Sequence, residues 1–154
     1  MMLDLTKAIE FHQHGLLEEA ADAYRQILAA DPTAADAWHL LGVLAQVQRE
    51  LGDETAAAEA WRRSGDRAAG GDLFARKQEG YARRRAGDLE GAAHVLRDCL
   101  LRAPQDVILF KTYVGLERQR GATDELKQTL QELLPVAGPR RGAVYAELRR
   151  LERG

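Results

Sequence analysis

The chain has 154 residues, of which 45% are apolar, 30% charged and 6% aromatic, a composition typical of a soluble helical domain with a core of its own. Its single cysteine, Cys99, excludes a disulfide framework within the chain, and no run of 18 apolar residues predicts a membrane span. The net charge of −2 excludes a polycation. However, residues 1–71 carry 6 Lys/Arg against 12 Asp/Glu and residues 72–154 carry 16 against 12, so the charge changes from −6 to +4. This asymmetry indicates a polarised binding surface.

Apolar residues at helical spacing predict nine helices, bounded by glycine, proline or capping residues. In chain order they span about residues 2–13, 17–30, 35–50, 54–68, 73–85, 89–102, 107–119, 124–134 and 140–152. Pro32 and Pro104 break the chain between helix pairs, because proline cannot donate to a helix. Gly70 and Gly71 lie at another such break. Two interpretations of this glycine pair stay open, a plain helix terminator, which is favoured, and a working hinge.

A small frame recurs along these helices: a glycine, an alanine five residues later and a large apolar residue four beyond that. The copies are Gly15/Ala20/Tyr24, Gly52/Ala57/Trp61, Gly87/Ala92/Leu96 and, with leucine for alanine, Gly121/Leu126/Leu130. Successive glycines are 37, 35 and 34 residues apart. A period near ~34 predicts paired helices in an array, in which neighbouring pairs must stack because no pair buries its apolar stripe alone.

Around the second copy the chain reads Trp38-x-x-Leu41-Gly42-x-x-Ala45 and then Ala57-x-x-x-Trp61. This pattern resembles the tetratricopeptide repeat, with Ala45 where an aromatic residue is usual, and the resemblance covers about residues 2–138. It implies an all-α fold, a right-handed α-solenoid of about four helix pairs plus a C-terminal capping helix. We therefore predict one domain over residues 1–154, with repeats at about 2–34, 35–71, 72–105 and 106–138 and a cap at 140–152.

In this repeat family the first helix of each pair lines a concave face that usually takes an extended or helical peptide. The resemblance therefore implies a non-catalytic scaffold or adaptor that binds another protein. The lining positions transfer to His12, His39, Val43, Gln46, Phe74, Lys77, Tyr81, Arg84, Lys111 and Arg118, beside Leu5, Ile9 and Ile108. This face is apolar at one end and basic with aromatics at the other. The expected partner is a peptide with an apolar anchor and acidic residues or a terminal carboxylate. In the alternative interpretation, Leu5, Ile9 and Phe74 merely pack between helices.

Enzyme chemistry is not predicted. His12 and His14 are two residues apart and diverge on a helix, so they do not form a metal-binding pair. Cys99 lies among leucines without a nearby base and is expected to be a small buried apolar residue. The Gly70-Gly71 pair lacks the strand and the lysine of a phosphate-binding loop. We expect no catalytic residue, no cofactor and no metal.

Two classes of partner are not expected. The basic run Arg83 to Arg85 is explained by the helix macrodipole, and a pI of about 6.1 is far from that of a nucleic-acid-binding domain. The clamp that binds the acidic C-termini of heat-shock chaperones requires Lys and Asn early in the repeat tract and then Asn, Lys and Arg. This chain has other residues at the corresponding positions. Those positions are Leu5, Ile9, Leu40, Phe74 and Gln78.

Two further hypotheses concern assembly. The opening 38 or so residues of the repeat tract are similar to the tract that precedes the catalytic domain of bacterial SPINDLY-type glycosyltransferases and some sulfotransferases. The alternative function is therefore an accessory recognition module of such an enzyme. A homodimer is also considered, through the apolar stripe Val144, Leu148 and Leu151 of the last helix. The expected location is the cytoplasm, because the N-terminus lacks a secretory signal pattern.

Overall fold

The computed structural model describes residues 4–30, 37–67 and 73–153, and their side chains at 4–30, 40–64 and 73–153. Over these ranges the chain forms nine α-helices and two short 3₁₀ turns and no strand. The helices are α1 Leu5–Gln13, α2 Leu17–Ala30, α3 Ala37–Glu50, α4 Glu54–Arg67, α5 Leu73–Arg85, α6 Leu89–Arg102, α7 Val107–Arg120, α8 Thr123–Leu133 and α9 Arg141–Arg153. The 3₁₀ turns Leu134–Val136 and Gly138–Arg140 connect α8 to α9.

All nine predicted helices are confirmed, with described ends within about one residue of prediction, except that α1 begins at Leu5 after the N-cap Asp4 and not at about residue 2. The predicted helix ends at residues 2, 35 and 68 lie outside the described residues. The same holds for the Gly70-Gly71 pair, so its role as hinge or terminator stays open.

The chain divides into two compact units, Met1–Asp88 and Leu89–Gly154. In the first unit, each of α1 to α4 packs on the next helix along the chain. In the second unit, α6 packs on α7, α7 on α8, and α8 on α9. The single domain over residues 1–154 stays a prediction, whereas packing between sequential helices is the arrangement expected of stacked helix pairs.

Four turns of one type connect the two helices of each pair. Gly15, Gly52, Gly87 and Gly121 all have positive φ, at 73°, 82°, 89° and 69°. At each turn the glycine N–H donates to the carbonyl three residues back, at 2.9–3.1 Å, and the next N–H donates to the carbonyl five residues back, at 2.9 Å. These two bonds define a Schellman motif, which terminates a helix on a left-handed residue. The glycine frame found in the sequence is therefore a structural repeat.

The core of the first unit is built from small residues that let helices approach closely. Ala20 and Ala57 are fully buried, and Ala57 packs with Ala82 between α4 and α5. Gly42 of α3 lies against the ring of Trp61 in α4, where a built Cβ would be 3.1 Å from ring atom Cζ3. Since real Cβ atoms rarely come that close, glycine at residue 42 leaves the space that the indole fills.

The second unit has its own core, with Leu96, Leu100, Leu109 and Leu130 buried between α6, α7 and α8. Cys99 is 2% exposed, as predicted for a small buried apolar residue. The last helix, α9, packs on α8 and buries Val144 to 1% exposure. This packing matches the capping role predicted for residues 140–152.

In three of the four pairs, a buried polar side chain occupies one or both of two positions in register with the turns. The residues eight and four places before each turn glycine are Lys7/Phe11, Leu44/Gln48, Glu79/Arg83 and Tyr113/Glu117. In the second pair, the amide orientation that satisfies both polar atoms of the buried Gln48 side chain has its nitrogen donate to the Ala56 carbonyl at 3.0 Å and its oxygen accept from Arg25 at 3.3 Å. This side chain therefore connects three helices of the first unit.

In the third pair, the position eight residues before the turn glycine holds a buried carboxylate. Glu79 is 2% exposed, and its two oxygens accept from Arg76 Nη1 at 3.0 Å and Arg83 Nε at 2.9 Å. Arg83 also donates to Asp88 at 3.0 Å, and these carboxylates raise the pKa of Arg83 against the opposing effect of its burial. A buried carboxylate is tolerated only when it is paired in this way.

In the fourth pair both positions are buried: a tyrosine lies eight residues before the turn glycine, and a second carboxylate lies four residues before it. The Tyr113 hydroxyl donates to Glu117 at 3.0 Å and lies 2.8 Å from the Thr129 hydroxyl of α8. Arg120 also pairs with Glu117, and Arg97 donates to Thr129 at 3.1 Å. Burial raises the pKa of Tyr113, so its hydroxyl stays protonated and serves as a donor.

Replacing the turn glycine Gly121 by alanine should destabilise the chain by about 1–2 kcal/mol, because an L side chain is strained at a φ of 69°. Gly115→Ala is the matched control within the same helix: its built Cβ meets nothing within 4 Å, so the change should stabilise α7 by about 0.5–1 kcal/mol. Urea unfolding measures both. Equal stabilities for the two variants would contradict the assignment of this turn.

Tyr113→Phe should destabilise the chain by about 1–3 kcal/mol, because the buried Glu117 carboxylate loses a donor. The control is Tyr145→Phe. Because Tyr145 is 41% exposed, removing its hydroxyl should change stability by less than about 0.5 kcal/mol. Thermal unfolding compares the two, and an unchanged melting temperature for Tyr113→Phe would show that the network contributes nothing.

Candidate functional site

A groove with a volume of about 500 Å³ opens on the first unit. All five helices of the unit contribute to its wall. The lining residues are Ile9, His12 and Gln13 of α1, Tyr24 of α2, Gly42, Val43 and Gln46 of α3, Trp61 and Ser64 of α4, and Phe74 of α5. Its volume is in the range of pockets that bind a small molecule or a large side chain, about 300–1,000 Å³.

The floor of the groove is formed by two rings from the frame positions. Tyr24 is 1% exposed and Trp61 is 7% exposed. Each ring has an edge-to-face neighbour: His12 lies on Tyr24 with ring centroids 6.5 Å apart, and Phe74 lies on Trp61 at 5.7 Å. Edge-to-face pairs of this kind fix ring orientation, so the floor has a defined shape.

The rim of the groove carries apolar surface that faces solvent. Ile9 is 39% exposed and Phe74 is 54% exposed, although both are large apolar side chains. Leu5, one turn before Ile9 on α1, is 44% exposed. Leu5, Ile9 and Phe74 are therefore only partly covered by neighbouring helices, and the interpretation in which they merely pack between helices stays an alternative. Clustered exposed apolar residues around a concave site are a mark of a binding surface.

Polar groups in the groove are few. The His12 Nε2 atom lies 3.5 Å from Glu50 Oε1, a contact that is ionic only when the imidazole carries a second proton. Gln13 and Gln46 supply amides at the opening. On the floor, burial raises the pKa of Tyr24, which keeps its hydroxyl protonated. The site thus offers an apolar surface with a small number of neutral hydrogen-bonding groups.

The helix α5 continues the groove into a basic surface. Phe74, Lys77, Tyr81 and Arg84 recur at intervals of three and four residues, which places them on one helix face. A second depression of about 290 Å³ adjoins the groove at Gln46 and Trp61, and its other lining residues are Arg49, Glu50 and Gln78. The first unit therefore combines an apolar groove with cations along one edge.

The structure brings together four of the predicted site residues: His12, Val43, Gln46 and Phe74 all line the groove. Lys77, Tyr81 and Arg84 lie further along α5 and are not among its described lining residues. The side chain of His39 lies outside the described residues.

The other two predicted site residues, Lys111 and Arg118, lie on α7 in the second unit. Arg118 forms an ion pair with Glu147 of α9, which also accepts from Arg150 at 3.0 Å. A ligand carboxylate at Arg118 would therefore have to compete with Glu147.

Sequence reasoning assigned the groove to first helices alone and missed the floor residues Tyr24, Trp61 and Ser64 from the second helices. The signal that could have found them was the frame itself. It marks Tyr24 and Trp61 as equivalent large residues that fill the space between stacked pairs.

Within the described ranges, no three or more His, Cys, Asp or Glu side chains are grouped so as to hold a metal ion. Among the same residues, no helix has both the length and the apolar character needed to cross a membrane.

Comparison with known proteins identifies the fold. No protein-family model and no curated protein matches this sequence. Among solved structures, a tetratricopeptide repeat protein from Parabacteroides merdae superposes with a TM-score of 0.67 at 17% identity, over 96% of this chain and 58% of its own. Two structures of MamA superpose with TM-scores of 0.65, at 16% and 15% identity. They match 100% and 95% of this chain, and 86% and 77% of their own lengths.

These neighbours show that the chain has the tetratricopeptide-repeat fold, so the predicted all-α solenoid class is confirmed. Identities of 15–17% show the fold alone. The neighbours do not show the similarity to glycosyltransferase repeat tracts, which stays a prediction.

Gly42→Val should destabilise the first unit by about 1–3 kcal/mol, because the new side chain enters space that Trp61 occupies. The control, Gly142→Val, meets nothing within 4 Å of its Cβ and should change stability by less than about 0.5 kcal/mol. Urea unfolding followed by tryptophan fluorescence measures both changes. A Gly42→Val chain as stable as the control would contradict the close contact of α3 with α4.

Proposed function

We propose that this chain is a non-catalytic scaffold whose first unit holds a peptide segment of another protein in the groove. The observation that carries the proposal is the exposed apolar rim, Ile9 and Phe74, around a concave site with an ordered aromatic floor. Burying such side chains against a partner is favourable by about 25 cal/mol for each Å² of apolar surface removed from water.

The charges beside the groove favour a partner with acidic residues. Arg76 and Arg83 are directed to the buried Glu79, and Arg85 pairs with Glu54 at 3.0 Å. Lys77 and Arg84 share the helix face of Phe74. A peptide whose apolar anchor contacts Phe74 would therefore place its neighbouring residues along a basic surface, where carboxylates are stabilised.

The second unit, taken by itself, offers a surface of the same kind on α7. Ile108 is 72% exposed and is one turn from Lys111, so this helix repeats the combination of an exposed apolar residue with a nearby cation. On the same helix, Arg118 would bind a carboxylate of a partner by exchanging Glu147 for it.

The alternative role as an accessory module of a glycosyltransferase- or sulfotransferase-type enzyme would use the same groove, and no contact of the described residues favours it. The homodimer through the C-terminal helix stays a prediction as well. Val144 is already buried within its own unit and Leu148 and Leu151 are half-buried, which leaves less apolar surface for a second copy.

A peptide-display selection against the immobilised chain tests the proposal. The selected peptides should combine a large apolar residue with Asp or Glu on one side. Phe74→Ala should weaken the binding of a selected peptide by about tenfold, the loss typical of an exposed anchor contact. Lys77→Glu with Arg84→Glu should weaken it further at low salt and less at high salt.

The matched control is Val136→Ala, which removes an exposed apolar side chain from the turn between α8 and α9. Isothermal titration calorimetry with a peptide selected on the wild type should give Kd values within about twofold of each other for this variant and the wild type. Selected peptides whose affinity is insensitive to Phe74→Ala would exclude the groove as the binding site.

A further inference from the structure

The floor of the groove contains two hydrogen-bond donors without acceptors. Tyr24 is 1% exposed and Trp61 is 7% exposed, and both line the groove. Within the described part of the chain, neither the Tyr24 hydroxyl nor the Trp61 indole N–H donates a hydrogen bond, and neither atom is among the buried side-chain atoms that lack a partner, so both reach solvent. A ligand that covers the floor removes this solvent, and a donor that is then left without an acceptor is unfavourable. The groove is therefore complementary to a ligand that brings an acceptor to its floor.

The walls above these donors restrict the ligand further. The rings of His12 and Phe74 stand edge-to-face against the two floor rings, and Val43 and Ile9 supply aliphatic surface. An aliphatic side chain would fill this space but would leave both donors without an acceptor. A carboxylate would bring the acceptor but would lose its hydration in an apolar groove.

We propose that the side chain that enters the groove is a tyrosine of the partner segment. Its ring packs among the four rings of the site, and its phenol oxygen, which has two lone pairs, accepts from Tyr24 and Trp61. This inference rests on the proposed function and names the anchor of that same site. The basic face of Lys77 and Arg84 then selects acidic residues beside the tyrosine, by charge complementarity.

An NMR titration with two small probes tests the anchor. N-acetyl-tyrosinamide and N-acetyl-phenylalaninamide share their main-chain groups and differ only in the phenol hydroxyl. The wild type should bind the tyrosine amide about 3- to 10-fold more tightly, the factor that one or two neutral hydrogen bonds supply. The indole N–H signal of Trp61, assigned by its absence from Trp61→Phe, should move downfield with the tyrosine amide alone.

Tyr24→Phe removes one donor without changing the ring, and it should reduce the preference for the tyrosine amide at least threefold. Tyr145→Phe, on α9 in the second unit, is the control and should keep the wild-type preference. Circular dichroism should show the same helix content for both variants and the wild type.

The outcomes separate the two proposals. Equal affinity of the wild type for both amides, or a preference that survives in Tyr24→Phe, would overturn the tyrosine anchor and leave the peptide-binding groove in place. If neither amide shifted any signal from groove residues, both the anchor and the proposed function would be overturned.

Discussion

The left-handed turn at the end of each first helix is the constraint on which the rest of the fold depends. A positive φ lets two further backbone hydrogen bonds form at each of the turn glycines Gly15, Gly52, Gly87 and Gly121. These hydrogen bonds terminate the first helix of the pair and fix where the second begins. Five and nine residues later the chain places a small and a large residue on the buried face, as at Ala57 and Trp61. The geometry of every helix pair, and the floor of the groove, follow from this spacing.

Close approach of backbones is what forms the groove in the first unit. Because residue 42 lacks a side chain, the Trp61 indole lies directly against α3, and its other side stays available to Phe74 and to a ligand. Among the described residues of this unit, none covers Ile9 or Phe74 fully, so the apolar rim remains exposed. A site built in this way is ordered before a partner arrives, which lowers the entropic cost of binding.

Much of the fold was predictable from sequence, because the period of the glycine frame and the helical spacing of apolar residues are local patterns. The groove residues His12, Val43, Gln46 and Phe74 were found by position within the repeat. The role of Tyr24 in the groove floor was missed. A large residue at a packing position is expected to fill the core, and the sequence pattern does not indicate that its hydroxyl makes no hydrogen bond within the described residues. The buried carboxylates Glu79 and Glu117 were missed for a related reason: their arginine and tyrosine partners become neighbours through helix geometry, and charged residues are rarely buried.

The central claim is that the partner binds in the groove of the first unit, and not at exposed apolar residues elsewhere on the chain. Leu16 and Leu51 are also exposed, at 44% and 38%, but they lie at the turns and outside the groove. The most direct test is a set of intermolecular nuclear Overhauser effects between a bound, selected peptide and the methyl groups of the chain. Contacts from the peptide's anchor side chain to Val43 and Ile9 are the predicted result. Contacts confined to Leu16, Leu51 or the second unit would contradict the claim.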